Sequence, residues 1–431
     1  MTSKKAFILS TVPSGGLIAI SLWAQQAPTQ PAPTEAPAGF NTPTLITAKA
    51  GSQSTSNGIT EPAGDTFARD QQTFEAREDP SIGLGPVFNA TACVECHQNP
   101  VSGGPSQITE IRVGHRDDNG NFVNPTITIE GGGTISGRSV INDRAICPQV
   151  QEHVPDAENI RTLRAVLNTL GDGFVEAIDD NTLLSIASSQ PGLSGGMIVG
   201  EAIEVPVLEA PGQTRIGRFG WKDQHGSLLS FIADAYLNEM GVTSRLKPTD
   251  TTSVCKVTTD PEDVPDELGL AHIDHFAQFV RGTDVPPRDT TLAATPDAQA
   301  GQKLFENIGC NICHVESITT APAGTLLNGG AFAVAGALGN KIIHPYSDFL
   351  LHDVGTGDGI VQTPPQDTAE KMRTAPLWGL RMKARFMHDL KSLTLEAAIQ
   401  RHAGEALNVE HGFRALTATQ KQQVITFLQS L

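Results

Sequence analysis

Apolar residues recur along the chain with two different periods. From Thr417 to Leu431, Val424, Ile425, Phe427, Leu428 and Leu431 fall on one face, the spacing of an amphipathic helix. Helices are predicted likewise over Ser227 to Leu237, Thr295 to Ile308 and Thr394 to Ala403. Thr295 is placed to cap its helix, and Pro296 stands in the first turn, where a missing N–H is harmless. Between Ile108 and Val140 the pattern becomes an alternation of β-branched and polar residues. Turn signals at Asp118-Asn119-Gly120 and Gly131 to Gly133 break it into short hairpin strands.

Two stretches follow neither period. Gln25 to Thr60 is rich in Pro, Ala, Thr, Ser and Gln, with too few large apolar groups to offset the entropy of ordering, so residues 25–60 are expected to be a disordered tether. Gly282 to Asp297 is polar and contains Pro, and it sets the expected boundary between folded units at residues 61–290 and 291–431. Residues 1–24 open with Lys4 and Lys5 and continue as an apolar run broken by Pro13 to Gly16, the form of a secretory signal peptide. Leu22 stands where a small residue is preferred for cleavage, which leaves an uncleaved membrane anchor as the alternative.

With 431 residues the chain is long enough for two or three folded units. Its 30 Lys and Arg against 47 Asp and Glu give a formal charge of -17, which repels phosphate backbones and argues against nucleic acid as a partner. Aromatic residues make up only 5% of the sequence, so a bound planar cofactor would help to fill the core.

The six cysteines form two close pairs and two singles. The pairs belong to two Cys-x-x-Cys-His motifs, Cys93-Val94-Glu95-Cys96-His97 and Cys310-Asn311-Ile312-Cys313-His314. Two thiols at this spacing reach the two vinyl groups of one porphyrin, and the following imidazole lies under its iron, so each motif predicts covalently bound haem c. Random matches in a chain of this composition are expected on the order of 0.002 times, which makes coincidence a poor rival for two copies. Zinc would require further ligands, and a redox dithiol has no need of the trailing His. Thioether attachment outside the cytoplasm agrees with the signal peptide and a periplasmic location. Cys147 and Cys255 are left either as a disulfide or as two buried thiols.

The C-terminal half contains YSDFLLHDVGTG (Tyr346 to Gly357), RTAPLWGLR (Arg373 to Arg381) and FMHDLKSLTLEAAIQRHAGEA (Phe386 to Ala406); GLGPVFNATACVECH and RIGRFGWKD (Arg215 to Asp223) precede them. With these segments the chain resembles the di-haem oxidoreductases often labelled thiol oxidoreductases, within the bacterial di-haem cytochrome c peroxidase and MauG-like superfamily. The resemblance implies an electron-accepting C-terminal haem and an N-terminal haem that meets peroxide. It implies His402 as the second axial ligand of the His314 haem, where similar peroxidases carry Met and MauG-like enzymes Tyr; Met382 and Met387 are rival sulfur ligands. It also suggests Trp221 as an electron relay and Glu239, in the pair Glu239-Met240, as the acid/base that moves a proton during O–O cleavage, with Glu176 as a weaker alternative. His97 is the expected proximal ligand of the N-terminal haem, opposed by His115, His153, His225 or an open position. Tyr346, His352 and Arg381 fall in family motifs near the haem edges. The family's usual His-Asp-Gly-Arg is altered here to His388-Asp389-Leu390-Lys391, which removes a guanidinium near the haem edge and puts the propionate contacts in question. The resemblance also admits a Ca²⁺ ion.

These readings predict a mostly α protein of two cytochrome c-like haem domains with a β-hairpin-rich insertion in the N-terminal domain. The expected function is a peroxidase-type oxidoreductase, supplied with electrons by a small cytochrome c or cupredoxin and acting on hydrogen peroxide or another small oxidant. A non-catalytic di-haem electron carrier and a MauG-like oxidase of a partner protein are the alternatives. A thiol oxidoreductase finds no support, since four Cys are taken by haem and the other two lack a reactive Cys-x-x-Cys arrangement.

Overall fold

A sheet of four strands follows the first Cys-x-x-Cys-His motif. Its longest strand, Thr109–Arg116, pairs antiparallel with Ile160–Ala165 from Thr109↔Ala165 to Gly114↔Ile160, and also with Val140–Ile141 and Phe122–Val123. The alternation of Ile111 and Val113 with polar residues directs both toward an apolar cluster that includes Val87, Ile127, Ile135, Ile141 and Val150. The turn after this strand closes on Asp117, whose carboxylate accepts hydrogen bonds from the main-chain N–H groups of Asn119 and Asn121, while Gly120 supplies a φ of +81°. Beside this cluster Cys147 and Cys255 form a disulfide, with Cα atoms 6.4 Å apart. In this computed structural model the described residues are 32–38 and 63–431. The signal peptide expected at 1–24 lies outside them.

Helices surround the first motif. Phe67–Glu75, Leu228–Met240 and His272–Gly282 pack together, the first two capped by the side chains of Thr66 and Ser227. Their apolar faces meet through Phe67, Phe74, Phe276 and Phe279, with the Phe74 and Phe279 rings 4.6 Å apart. The cluster continues through Ile318, Leu327, Phe349 and Trp378, so it draws on residues from both sides of position 290.

Around the second motif, helix Pro296–Asn307 is capped by Thr295 and lies against the C-terminal helix Ala418–Gln429, whose Val424, Phe427 and Leu428 are buried. Gly301 makes their close approach possible: a Cβ there would sit 1.9 Å from the Gln423 carbonyl oxygen. The helix expected from Thr394 to Ala403 is only Leu395–Ile399, and a turn then leads into Gly404–Ala406.

The mostly α expectation is overturned. The structure is 32% helix and 15% strand, its strands are spread over many small sheets, and among the described residues nothing in this arrangement identifies two cytochrome c-like domains. The physical reason lies in the connections: Gly- and Pro-rich segments cannot extend helices, and their main-chain groups are instead satisfied in short two-stranded ladders. Part of the stretch read as a tether is also ordered. Thr34–Glu35 pairs parallel with Lys341–Ile343, the Lys341 ammonium reaches Thr34 Oγ1 at 2.9 Å, and Val285 N–H donates to the Pro37 carbonyl. An open strand edge accepts any extended backbone, so composition alone does not exclude such pairing. No helix among the described residues is long and apolar enough to cross a membrane.

Candidate functional site

Both Cys-x-x-Cys-His motifs have the same local form. Each opens with a single 3-10 turn, Cys93–Glu95 and Cys310–Ile312, and the N–H of the His donates back to the carbonyl of the first Cys at 2.9 Å for His97 and 3.0 Å for His314. The four thiols are free and line two cavities, with about 720 Å³ of atom-free space at the first motif and about 1750 Å³ at the second, open solvent included. Burial pushes all four thiol pKa values up, so these are un-ionised side chains and not reactive thiolates. Burial also pushes His97 and His314 down to about 4, keeping both imidazoles neutral.

The second cavity holds an opposed pair of imidazoles. His314 and His402 have ring centroids 6.5 Å apart, with planes inclined at 60°. His314 Nδ1 lies 3.0 Å from the Tyr346 carbonyl oxygen and His402 Nδ1 3.0 Å from that of Ala398, which leaves each Nε2 uncommitted by these contacts. Two imidazoles bound to one metal at about 2 Å each would bring their centroids to roughly 6.3 Å, so this pair fits a single iron between them. Met382 and Met387 also line the cavity, and Met382 packs against Val101 and Leu170. His352 is buried beside the second thiol, 3.8 Å from Cys313 Sγ, and is held by Asp348 at 2.8 Å and Glu405 at 2.9 Å. Arg381 instead donates to the Pro287 carbonyl and is absent from the cavity wall.

Trp221 belongs to the second cavity. Its indole N–H donates to the Ala165 carbonyl at 2.8 Å, and its ring meets that of His388 edge-on at 6.0 Å. Ala165 and Val166 line this cavity, the Leu167 backbone acts to raise the His97 pKa, and Thr169 and Asp172 line the first cavity. One short segment therefore walls both sites. Behind Trp221, the buried Lys222 ammonium donates to the carbonyls of Thr368, Ala369 and Lys371 and pairs with Asp358 at 3.0 Å; Arg164 holds the other oxygen of Asp358 at 2.7 Å.

Glu239 does share a cavity with His97, Cys93 and Cys96. Burial and the nearby Glu110 and Asp234 carboxylates outweigh Arg112 and push its pKa up to about 8. His115, His153 and His225 are not part of this wall: His115 is 2.8 Å from Glu158 and His225 3.2 Å from Asp234. Glu176 is also elsewhere, its carboxylate saturated by Arg281, Asn328 and the Leu228 N–H. The sequence reading missed Asp172, a second acid in the wall, which burial pushes up to about 7. It also missed Gln190, buried and bonded to the Ile312 carbonyl and to Asp348. Neither carries a motif signal.

The family model described as "Di-haem oxidoreductase, putative peroxidase" matches residues 147–431, which include the second motif but not the first. No curated protein matches the chain. Among solved structures, a hydrazine synthase of Kuenenia stuttgartiensis aligns with a TM-score of 0.35 and 13% identity over 87% of this chain and 94% of that one. A MauG-like protein associated with microbial copper homeostasis aligns with a TM-score of 0.24 and 20% identity over 37% of this chain and 52% of that one. At these scores neither likeness carries an argument. The family match covers well over half of the residues, and its cofactor agrees with the two motif-lined cavities: the chain belongs to the di-haem oxidoreductase family.

Proposed function

We propose that this protein is a periplasmic di-haem c-type peroxidase, exported by its N-terminal signal, with haem attached through Cys93 and Cys96 and through Cys310 and Cys313. His97 would hold the iron at the first site, and His314 and His402 would hold it at the second. The observation that carries the reading is the asymmetry of the two sites: a second imidazole faces His314, whereas Glu239 and no second His lines the cavity of His97 among the described residues. Haem bound at these sites would supply electron storage and transfer and the reduction of peroxide.

The chain's own groups would divide the remaining work. His314 and His402, tied by Nδ1 to main-chain carbonyls, hold one site in a fixed geometry suited to receiving electrons from a small cytochrome c or cupredoxin. Trp221, joined to Ala165 in the shared wall, offers the relay toward His97. Glu239 is protonated below about pH 8 and moves a proton from one peroxide oxygen to the other. Each hydrogen peroxide takes up two electrons and two protons and leaves as two waters. The acidic surface favours a basic electron donor.

An electron carrier with both irons six-coordinate is the second reading, favoured by Met240, whose thioether side chain belongs to the wall of the first cavity. Absorption and EPR spectra of the holoprotein, oxidised and half reduced, with and without hydrogen peroxide, separate the two. The peroxidase is expected to show a high-spin ferric signal that peroxide removes within the mixing time. Two low-spin haems that ignore peroxide in both redox states would leave the carrier.

A further inference from the structure

Three cations line the second cavity: Arg373, Lys383 and Arg385. Arg373 is anchored, with Nε donating to the Gly220 carbonyl at 2.7 Å and Asp223 at 3.6 Å. Arg385 is exposed. Lys383 differs from both, being half-buried and, among the described residues, without an ion pair or side-chain hydrogen bond. Burial, and after it the charge of another cation, Arg373, lower its pKa to about 8. A lysine in the wall of a mainly apolar cavity, repelled by a guanidinium in the same wall, calls for an anion.

The position at which similar proteins carry an Arg does not meet this need. Lys391 is turned to solvent and comes only to 3.7 Å of Asp389, while Arg401 grips Asp389 through both nitrogens at 2.9 and 2.8 Å. In the preceding segment Lys383 and Arg385, which flank Ala384, both line the cavity.

We propose that Lys383, with Arg373 beside it, holds a carboxylate inside the second cavity, and that this carboxylate is a propionate of the haem attached at Cys310 and Cys313. A free carboxylate anion would satisfy the same charges. The propionate is favoured because the cations, both anchoring thiols and the His314/His402 pair line one continuous, mainly apolar cavity. The assignment rests on the haem reading above but not on reactivity toward peroxide.

A redox titration of the holoprotein, followed by absorption and by low-spin EPR, tests it. A cation next to a haem favours the more electron-rich ferrous form. Lys383→Gln is therefore expected to lower the potential of the haem whose low-spin signal depends on His402 and to leave the other haem unchanged, and Lys383→Arg is expected to retain the native value. Unchanged potentials in a Lys383→Gln protein with native circular dichroism would overturn the proposal. Acetate added to the native holoprotein is expected to have no effect; a Lys383-dependent shift on adding acetate would assign the site to a free anion instead. Two low-spin haems inert to peroxide would remove the peroxidase reading while leaving this potential shift to be observed.

Discussion

His402 faces His314 across the second cavity, its ring centroid 6.5 Å away, because the Ala398 carbonyl one helical turn earlier fixes its Nδ1. That bond orients a histidine which its position at the end of the short helix Leu395–Ile399 would otherwise leave free to rotate. His402→Gly is expected to convert one haem from low to high spin and to raise its potential, since removal of an imidazole favours ferrous iron. EPR of the oxidised variant checks the first change and potentiometry the second.

Glu239 should control the alkaline limb of peroxide turnover. Its pKa is raised, so the neutral acid predominates below about pH 8 and is lost above it. Burial, with the charges of Glu110 and Asp234, overcomes the opposing charge of Arg112. Glu239→Gln is expected to slow the reaction with peroxide by roughly 10²–10⁴-fold and to abolish the fall in rate above about pH 8. Stopped-flow rates across the pH range measure both effects. A rate within a few-fold of native would remove Glu239 from the mechanism.

Trp221→Phe keeps an aromatic ring but loses the hydrogen bond to Ala165. A cost of about 1 kcal/mol in stability follows from that bond. The more specific expectation is slower equilibration of electrons between the haems after rapid partial reduction, with both haem spectra unchanged. Native equilibration kinetics would leave Trp221 as packing.

Asp358 lies buried between Arg164 and Lys222. Burial alone would raise its pKa, but the two cations more than reverse this and hold it well below the usual carboxylate range. With a lowered folded-state pKa, its stabilising contribution is fully present above the unfolded value of about 4 and is lost progressively as pH falls from there through the lower folded-state value. Asp358→Asn would leave both cations uncompensated and is expected to cost roughly 3–5 kcal/mol near neutral pH, less in acid. Urea unfolding at pH 7 and at pH 3 tests the size and sign of the difference.

What could be read from the chain in advance was what is local. The motif turns were legible because five consecutive residues carry their whole chemistry, and Thr295 announced its helix because a cap acts within three residues of itself. Glu239 was found through resemblance, and the structure places it with His97. Contacts between distant segments were not legible. Thr34–Glu35 is too short to show any period, and Lys222 looks like an ordinary surface lysine until its three carbonyl acceptors and Asp358 are brought around it. Asp172 and Lys383 sit in no motif, and their importance comes from cavities that form only when the chain is folded. The helical fraction was overestimated for a related reason: amphipathic periods were visible, whereas strands of two residues leave no pattern to count.

The wall of the second cavity includes Asn99, Pro105, Ser106 and Gln107, which follow directly on the first motif, as well as Ala165 and Trp221. A piece cut at residue 291 would keep Cys310, Cys313, His314 and His402 yet lack one side of the chamber that encloses them, exposing apolar surface to water. Residues 33–431 form one compact unit, so the second chamber is complete only where both sides of position 290 are present in the same folded chain.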